Sequence, residues 1–321
     1  MNNKVKNLLI AVGVVAVSLC MITSLQAYVL QGRHVLDLMI EKLGPSESLY
    51  VSERLFHYPV ATPSDEHGPG ATDPDLPSGD FAGLDEPPHQ QIGRYPEQAE
   101  QEALEFESTL RYVFSRAFRS DARSADSEHI HVSVDGRTLT IIDNNIVPDV
   151  VNRFDFFKDI LLYRSREALA DRLLQLGVDL SITTLGRFED KIAFVLGGKY
   201  PDETTNQLWI DKDTLLPIRL IIRGVYGADN TDKVEIRYLV WWKIGETRYP
   251  SKMEFYQDEN LVRATQAQSF EENALFSEEL FDIEYLETVY PRAAVQPIPA
   301  EVVEEPSEVQ KTIEEFKRIF E

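Results

Sequence analysis

The feature that most constrains this chain is a run of short alternating segments between Leu180 and Phe270, with no long helix among them. Segments that alternate between apolar and polar residues form strands with one apolar face. In the stretch NQLWIDKDTLLPIRLIIRG (206–224), two such segments flank the charged turn Asp211–Asp213. Strands that follow one another in the chain usually pair as antiparallel neighbours. The sequence therefore predicts a large antiparallel sheet with one apolar face.

Upstream segments extend the sheet, and a few helices are available to cover it. Alternation recurs in residues 48–58, 106–114 and 129–143, the last around the hairpin dipeptide Asp135-Gly136. Helical spacing favours one helix in residues 32–44 and two between 154 and 177, with Ser165 as an N-cap. We therefore expect an α+β fold with a curved sheet of about ten strands. So few helices either leave a groove over its apolar face or fill the space completely.

Eleven residues are the candidates for lining such a groove. They combine the apolar stripe of the first middle helix with the apolar faces of consecutive strands. The helical candidates, which would form a lid, are Phe157, Ile160 and Leu161. The strand candidates are Leu208, Ile210, Leu220, Ile222, Tyr238, Trp242, Met253 and Phe255.

Residues 1–27 have the pattern of a secretory signal peptide. Two lysines precede the apolar run Leu8–Ile22, and Ala27 is a small residue where cleavage is expected. The run is shorter than the roughly 20 residues that a membrane span needs. We expect export to the periplasm, with an uncleaved inner-membrane anchor as the alternative. Cys20 is the only cysteine, so the processed chain would contain no disulfide and no thiol nucleophile.

The segment after the first strand has a different composition. From Val60 to Glu105, proline, glycine and acidic residues dominate, and apolar residues show no period. Such a segment cannot bury enough apolar surface to offset its ordering entropy, so residues 60–95 are predicted to be an acidic disordered insertion. In the whole chain, 54 acidic residues outnumber 32 basic ones, which gives a net charge of −22. This charge excludes nucleic acid as a partner, and we expect a monomer.

Residues 28–291 are predicted to form the folded domain, and residues 292–321 a tail. The tail begins as an acidic, proline-spaced linker and continues with apolar residues at helical spacing: Val309, Ile313, Phe316 and Phe320. This pattern predicts an amphipathic terminal helix that either docks on the protein itself or binds a partner.

Recognised catalytic motifs are missing from the sequence. There is no nucleophile elbow, zinc-protease motif or dinucleotide fingerprint. His129 and His131 share one face of a strand, which would suit a metal, but no third ligand is evident nearby. Their face is opposite the apolar Ile130 and Val132, so we expect both histidines in solvent. The sequence thus predicts no catalytic residue, no metal site and no cofactor.

Several segments resemble the LolA-type family of periplasmic lipoprotein carriers and their relatives. The stretch LWIDKDTLLPIRLIIRG is similar to a hairpin motif of that family and is the most specific piece. HVSVDGRTLTIIDNN and VFSRAFRSD are similar to two further strand motifs, and the helix VLDLMIEKLG to the opening helix. The resemblance covers roughly residues 32–283 without the insertion. It implies an unclosed antiparallel β-barrel with a helical lid over a cavity that holds acyl chains, and it implies that Arg116 helps to hold the lid.

Two hypotheses follow for the function. The first is a non-enzymatic periplasmic carrier or sensor whose groove binds a lipid or the acyl chains of a lipoprotein. The second is a fully packed envelope module that binds a protein partner through the acidic insertion or the terminal helix. A hydrolase would require a buried histidine or carboxylate in the groove.

Overall fold

The computed structural model describes residues 30–59, 103–148, 152–224 and 232–293. The predicted signal peptide, the acidic insertion 60–95 and all but two residues of the tail 292–321 lie outside the described residues. Within them, the α-helices are α1 (Gly32–Leu43), α2 (Phe157–Leu162), α3 (Arg166–Gln175) and α4 (Ile283–Val289). Short 3₁₀ helices cover Arg153–Phe156 and Glu278–Leu280. No helix of this part is long and apolar enough to span a membrane.

The described strands form a single sheet. They are β1 (Ser48–His57), β2 (Leu104–Val113), β3 (Ala117–Arg123), β4 (Glu128–Val134), β5 (Arg137–Ile142), β6 (Asn145–Val147), β7 (Thr183–Phe188), β8 (Lys191–Leu196), β9 (Gln207–Asp211), β10 (Pro217–Arg223), β11 (Lys233–Ile244), β12 (Thr247–Gln257) and β13 (Asn260–Glu272).

All neighbours in the sheet are antiparallel, in the order β6-β5-β4-β3-β2-β1-β13-β12-β11-β10-β9-β8-β7. The first and last strands of the domain, β1 and β13, pair with each other in the middle of the sheet, and β6 and β7 are its edge strands. Ile146 of β6 also forms a parallel bridge with Arg292. The predicted unclosed antiparallel barrel is therefore confirmed. The described part has thirteen strands because β3 and β6, which the pattern did not predict, join the sheet.

Helices α1, α2 and α3 cover the concave face of the sheet. Their apolar residues share one cluster with strand residues from both halves of the sheet, including Val51, Leu110, Leu220 and Phe255. The predicted cap of α3 is confirmed, because the Ser165 hydroxyl accepts a hydrogen bond from the Ala168 N–H at 3.1 Å. The helical cover and the sheet thus form the main core.

The opposite, convex face of β4–β6 is covered by α4. Ile283 and Leu286 of the helix pack with strand residues that face outward: Ile130, Val132, Leu139, Ile141 and Ile146. Asp282 caps the helix by accepting from the Tyr285 N–H at 3.0 Å. The apolar face of these strands is therefore not the one that faces the main core.

The hairpin β9–β10 shows where the main core is anchored. Leu208 and Leu220 are register partners, and both are completely buried under the helices. Trp209 faces the convex side, where Ile218 joins it because an irregularity between Pro217 and Arg219 shifts the register. Strict alternation along β10 would place Ile218 on the face of Leu220, and this irregularity moves it to the opposite face.

Candidate functional site

The apolar wall of the concave face consists of strand residues at neighbouring register positions. Leu220 lies opposite Ile236, Ile236 opposite Phe255, and Tyr238 opposite Met253. Side chains opposite each other on one face of a sheet are in contact range, so the alternating pattern becomes a continuous apolar surface. Seven of the eight strand candidates are exposed by 1% or less: Leu208, Ile210, Leu220, Ile222, Tyr238, Met253 and Phe255.

The lid candidates face this wall directly. Phe157, Ile160 and Leu161 are exposed by 1% or less and belong to the same cluster as the wall. The ring of Phe157 meets the ring of Phe255 edge-on at 5.6 Å. The Tyr238 hydroxyl donates to the Phe157 carbonyl at 3.3 Å. In this structure, lid and wall therefore fill the space between them with their own side chains.

Trp242 is the exception among the candidates. It is register partner to Tyr249 and so shares the concave face, but 42% of its surface is exposed. Its ring meets Phe270 at 5.3 Å, and Phe270 meets Tyr249 at 5.7 Å. Trp242 is thus the exposed end of an aromatic row, outside the region that the helices cover.

A second part of the concave face is polar, which the sequence did not lead us to expect. Glu53 on β1 and Arg263 on β13 are 2% and 8% exposed. Within the described residues, neither carboxylate oxygen of Glu53 accepts a hydrogen bond of normal geometry, and Nε of Arg263 donates none. The hydroxyls of Tyr112 and Tyr249, both buried, interact with each other but form no hydrogen bond of normal geometry there. We refer to these four residues as the polar cluster.

Burial sets the proton affinities around the polar cluster. It raises the pKa of Glu53 from 4.5 to about 7, although Arg263 and Thr265 act in the opposite direction. Desolvation lowers the pKa of His57 from 6.5 to about 3, and the charge of Arg263 acts in the same direction. Near neutral pH, Glu53 therefore exchanges a proton, whereas His57 is uncharged.

One signal in the sequence pointed to the polar cluster. Glu53 occupies an apolar-face position of β1, between Val51 and Leu55. A carboxylate at such a position must be solvated, paired or protonated. Arg263 had no comparable signal, because the stretch LVRATQAQ around it does not alternate clearly between apolar and polar residues.

His129 and His131 are not in solvent, so that expectation is wrong. They lie opposite Ala122 and Ser120 of β3, on the concave face, because the apolar side of β4 is the one covered by α4. Nδ1 of His131 lies 3.1 Å from the Thr140 hydroxyl. Burial lowers the pKa of His129. The described residues contain no group of three side chains arranged to hold a metal ion.

The role of Arg116 in holding the lid stays a prediction. Arg116 is exposed in the turn between β2 and β3, and its backbone makes its hydrogen bonds. The neighbouring Ser115 contacts the lid: its N–H donates to the Leu162 carbonyl at 2.8 Å, and its hydroxyl accepts from the Arg164 N–H at 3.0 Å. The Arg164 guanidinium lies 4.1 Å from the centre of the Phe114 ring. The turn to which the resemblance points therefore contacts the lid through Ser115.

A surface cavity of about 590 Å³ lies beside the lid, where α1 begins and α3 ends. Its lining includes none of the eleven candidate residues; it consists of Leu30, Gln31, Gly32, Arg33, Ala170, Asp171, Leu174, Asp179, Leu180, Ser181 and Thr183. Its size falls within the roughly 300–1,000 Å³ of small-molecule sites. This cavity is therefore distinct from the predicted groove.

Solved structures with a similar fold include three from bacteria. A DUF1329 family protein from Desulfovibrio piger is 12% identical with a TM-score of 0.44, and the match covers 80% of this chain and 98% of that one. An outer membrane lipoprotein-sorting protein domain from Vibrio parahaemolyticus is 9% identical, with a TM-score of 0.45 and coverage of 79% and 97%. A LolA superfamily protein from Nitrosomonas europaea is 10% identical, with a TM-score of 0.42 and coverage of 80% and 99%.

No family model and no curated protein matches the chain. Two of the three solved structures carry the name of the family that the sequence motifs resemble. At these identities and TM-scores, the neighbours assign no role to any residue of this chain.

Proposed function

We propose that this protein binds, without catalysis, the acyl chain of a lipid or lipoprotein between its helical cover and the apolar wall, in the bacterial periplasm. The observation that supports this proposal is a concave apolar wall covered only by short helices. The lid helix α2 has six residues, and α1 and α3 have twelve and ten. The motif resemblance and the predicted signal peptide support the ligand class and the location.

An acyl chain can take the place of the lid because the interaction is apolar on both sides. Each methylene that moves from water into an apolar environment gains about 0.8 kcal/mol. Three sets of polar contacts fix the lid weakly: the Tyr238 hydroxyl to Phe157, the contacts at Ser115, and an exposed ion pair of Arg166 with Asp37 at 2.9 Å that joins α3 to α1. Exposed pairs contribute only about 0–1 kcal/mol. Two less exposed ion pairs add to them: Asp159 of α2 with Arg172 of α3 at 2.6 Å, and Arg153, just before α2, with Asp232 at 3.0 Å. Displacing α2 therefore costs apolar burial, which the ligand restores, and any of these pairs that the movement breaks.

The proposal is tested by loading the full chain from vesicles of phosphatidylethanolamine and phosphatidylglycerol. After vesicles are removed by gel filtration, native mass spectrometry should show a retained lipid that is released on unfolding. Leu220→Arg should abolish retention of the lipid, because it places a charged side chain at a completely buried position of the apolar wall. Leu275→Arg is the matched control, because Leu275 is 99% exposed.

Circular dichroism must show that Leu220→Arg is folded. If it is not, Ile222→Thr places a hydroxyl in the same wall with little change of shape and should weaken retention. Lipid-free wild-type protein, or equal retention by a folded Leu220→Arg variant, would contradict the proposal. Because buried histidines and a carboxylate are present, products are analysed too, and release of free fatty acid would assign hydrolysis instead.

The alternative of a packed interaction module places its binding segments in residues 60–95 and 292–321. These segments lie outside the described residues, apart from Arg292 and Ala293. The lipid-loading experiment separates the two functions, because a packed module would stay lipid-free.

A further inference from the structure

We propose that the polar cluster binds the anionic head group, a carboxylate or a phosphate, of the amphiphile whose chain the apolar wall holds. The inference rests on the proposed function and adds the chemical class of the ligand. It is carried by four buried polar side chains that share one face of the sheet and have hydrogen-bonding atoms without a partner of normal geometry in the described structure.

The register of the sheet brings these side chains together. Arg263 lies opposite Phe255 of β12 on one side and opposite His57 of β1 on the other. Glu53 is four residues before His57, on the same face of the same strand, and lies opposite the small residue Ser108 of β2. The rings of Tyr112 and Tyr249 approach each other at 6.0 Å from opposite sides of β1 and β13. The cluster therefore spans the seam where the two halves of the sheet meet.

Aromatic rings hold the Arg263 side chain in place, but not all of its N–H groups have a hydrogen-bond acceptor. Its guanidinium lies 4.7 Å from the ring centre of Phe255 and 5.7 Å from that of Phe157. Its Nη1 is 3.9 Å from Oδ1 of Asp155, too far for a hydrogen bond. The Nε–H of Arg263 has no acceptor in the described residues, and leaving such a buried donor unpaired is costly. An oxyanion with two oxygens would complete this site by bidentate bonding.

The remaining members of the cluster can also donate. Tyr112 and Tyr249 each carry a hydroxyl, and burial raises the pKa of both. Glu53, with a pKa of about 7, is largely protonated below neutral pH and then presents an O–H. One guanidinium and three hydroxyl donors suit an oxyanion, whereas an ammonium head would face the charge of Arg263. Binding of an oxyanion should therefore favour the protonated form of Glu53.

Other ionisable groups face Glu53 from the surrounding elements. They are His57 on its own strand, Arg263 on β13, Tyr112 on β2, Tyr249 on β12, His129 and His131 on β4, Asp155 and Lys158 from the cover, and Arg164 after α2. Asp155 is already shared, at 3.9 Å, by Arg263 and His131. Among these carboxyl groups, Glu53 is therefore the one that a bound anionic head group would keep from ionising.

The cluster is placed where the head group of an amphiphile should be. Phe157 and Phe255, which flank the Arg263 guanidinium, are a lid candidate and a wall candidate for the acyl chain. A chain lying along the wall would therefore begin next to Arg263. Head and tail would then be recognised by adjacent parts of one continuous concave face.

The test compares four ligands with the same chain, each below its aggregation concentration: dodecanoate, dodecyl phosphate, dodecanol and dodecylammonium. Isothermal titration of the full chain should show dodecanoate or dodecyl phosphate binding at least about tenfold more tightly than dodecanol, because charge-assisted hydrogen bonds add to the same tail. The ranking of the two anions identifies a carboxylate or a phosphate source. For wild-type protein, dodecanoate affinity should fall about tenfold between roughly pH 6 and pH 8, as Glu53 ionises.

Variants separate the cluster from the fold. Arg263→Met should lose the preference for the anion and keep dodecanol binding. Arg54→Met is the control and should change neither property, because Arg54 is next to Glu53 in the sequence but lies on the exposed convex face. Glu53→Gln should keep the preference and lose its pH dependence. If Arg263→Met does not fold, Tyr249→Phe removes one donor without changing the packing and should weaken only the anions.

The outcomes distinguish failure of the head-group site from failure of the proposed acyl-chain binding. Equal affinity for dodecanoate and dodecanol would overturn the head-group site and leave chain binding intact. A preference for dodecylammonium, or a pH dependence that survives in Glu53→Gln, would also overturn it. Binding of none of the four ligands would contradict the proposed function itself, and the head-group site with it.

Discussion

At the residue scale, the convex face of β9–β11 is stabilised by a charge network around Glu235. This carboxylate is 4% exposed and accepts from Arg219 at 2.5 Å and from Arg237 at 2.6 Å, and Lys233 lies at 3.1 Å. Arg219 also covers the buried Trp209 ring at 5.3 Å. Removing one partner of a buried charge network leaves the others uncompensated, so the network should matter for stability.

Glu235→Gln should lower the free energy of unfolding near neutral pH. Burial alone would raise the pKa of Glu235, but Arg219 and Arg237 outweigh it and lower the pKa from 4.5 to about 2. A carboxylate with a lowered folded-state pKa contributes stability above its unfolded pKa, and this contribution is lost as the pH falls from about 4.5 through about 2. We expect a loss on the order of 3 kcal/mol at neutral pH, measured by urea denaturation.

The pH dependence distinguishes this effect from a simple packing loss. The difference between wild type and Glu235→Gln should shrink steadily as the pH is lowered toward the folded-state pKa. Glu246→Gln is the control. Glu246 is 74% exposed, and its ion pair with Lys243 at 3.6 Å should contribute little to stability. A difference that stays constant with pH would refute the electrostatic explanation.

Alternation predicted most single residues of the apolar wall, and local backbone irregularities explain the failures. Leu208, Leu220 and Phe255 are buried as the pattern requires. Ile218 is not on their face because a bulge shifts its register, and no residue type in the sequence marks that bulge. The polar cluster was not predicted because it forms between residues far apart in sequence, such as Glu53 and Arg263. Only the pairing of β1 with β13 brings them together.

At the element scale, the end of α1 is fixed against the turn between β11 and β12. Gly44 ends the helix with a φ of 101°, and its N–H donates to the Ile40 carbonyl. Nearby, the Ser46 and Thr247 hydroxyls contact each other and Glu272. The orientation of the helical cover on the sheet thus depends on a close backbone approach that only glycine allows.

Gly44→Ala should destabilise the protein far more than the same change at Gly136. A Cβ on Gly44 would lie 2.3 Å from the Glu246 carbonyl oxygen, whereas a Cβ on Gly136 meets no atom within 4 Å. Both residues have positive φ, 101° and 83°, so strain of about 1 kcal/mol is common to both. Thermal unfolding should show the larger loss for Gly44→Ala. Equal losses would show that backbone strain, and not the contact with the turn, fixes the helix.

The local sequence pattern predicted the type of most helices and strands, and the strands that it did not predict have no clear pattern. The helix cap at Ser165 and the hairpin at Asp135-Gly136 were predicted because their signals lie within a few residues. Alternation did not show strand β3, because Arg119, Asp121 and Arg123 dilute its apolar residues, and only the family resemblance at VFSRAFRSD indicated a strand there. These charges pair with one another and with neighbours: Arg119 donates to Asp121 at 3.0 Å. Strand β6, with three residues, is too short to show a period.

At the scale of the whole molecule, the sheet changes polarity along its width. Under the cover, strands β8–β12 present an apolar concave face, whereas β1–β4 and β13 add Glu53, Arg263 and the histidines. On the convex side the order is reversed, with apolar β4–β6 under α4 and charged side chains on β10 and β11. One continuous sheet can therefore hold an apolar chain at one side and a polar group at the other.

In the proposed function the lid competes with the acyl chain for the wall, and this makes a prediction opposite to that for an ordinary core. Ile160 of the lid and Leu220 of the wall are both completely buried. Truncating either to alanine should destabilise the lipid-free protein by about 2–5 kcal/mol. Ile160→Ala weakens only the closed state that the chain must displace, so it should raise acyl affinity by about tenfold or more. Leu220→Ala removes a contact from both states and should not raise it.

Titration of both variants with dodecanol, together with urea denaturation of the lipid-free proteins, measures the two effects separately. The informative result is the sign: a less stable protein that binds the chain more tightly is expected for Ile160→Ala alone. If both variants lose stability and neither gains affinity, α2 is a permanent part of the core. The space for an acyl chain would then have to lie elsewhere than between this helix and the sheet.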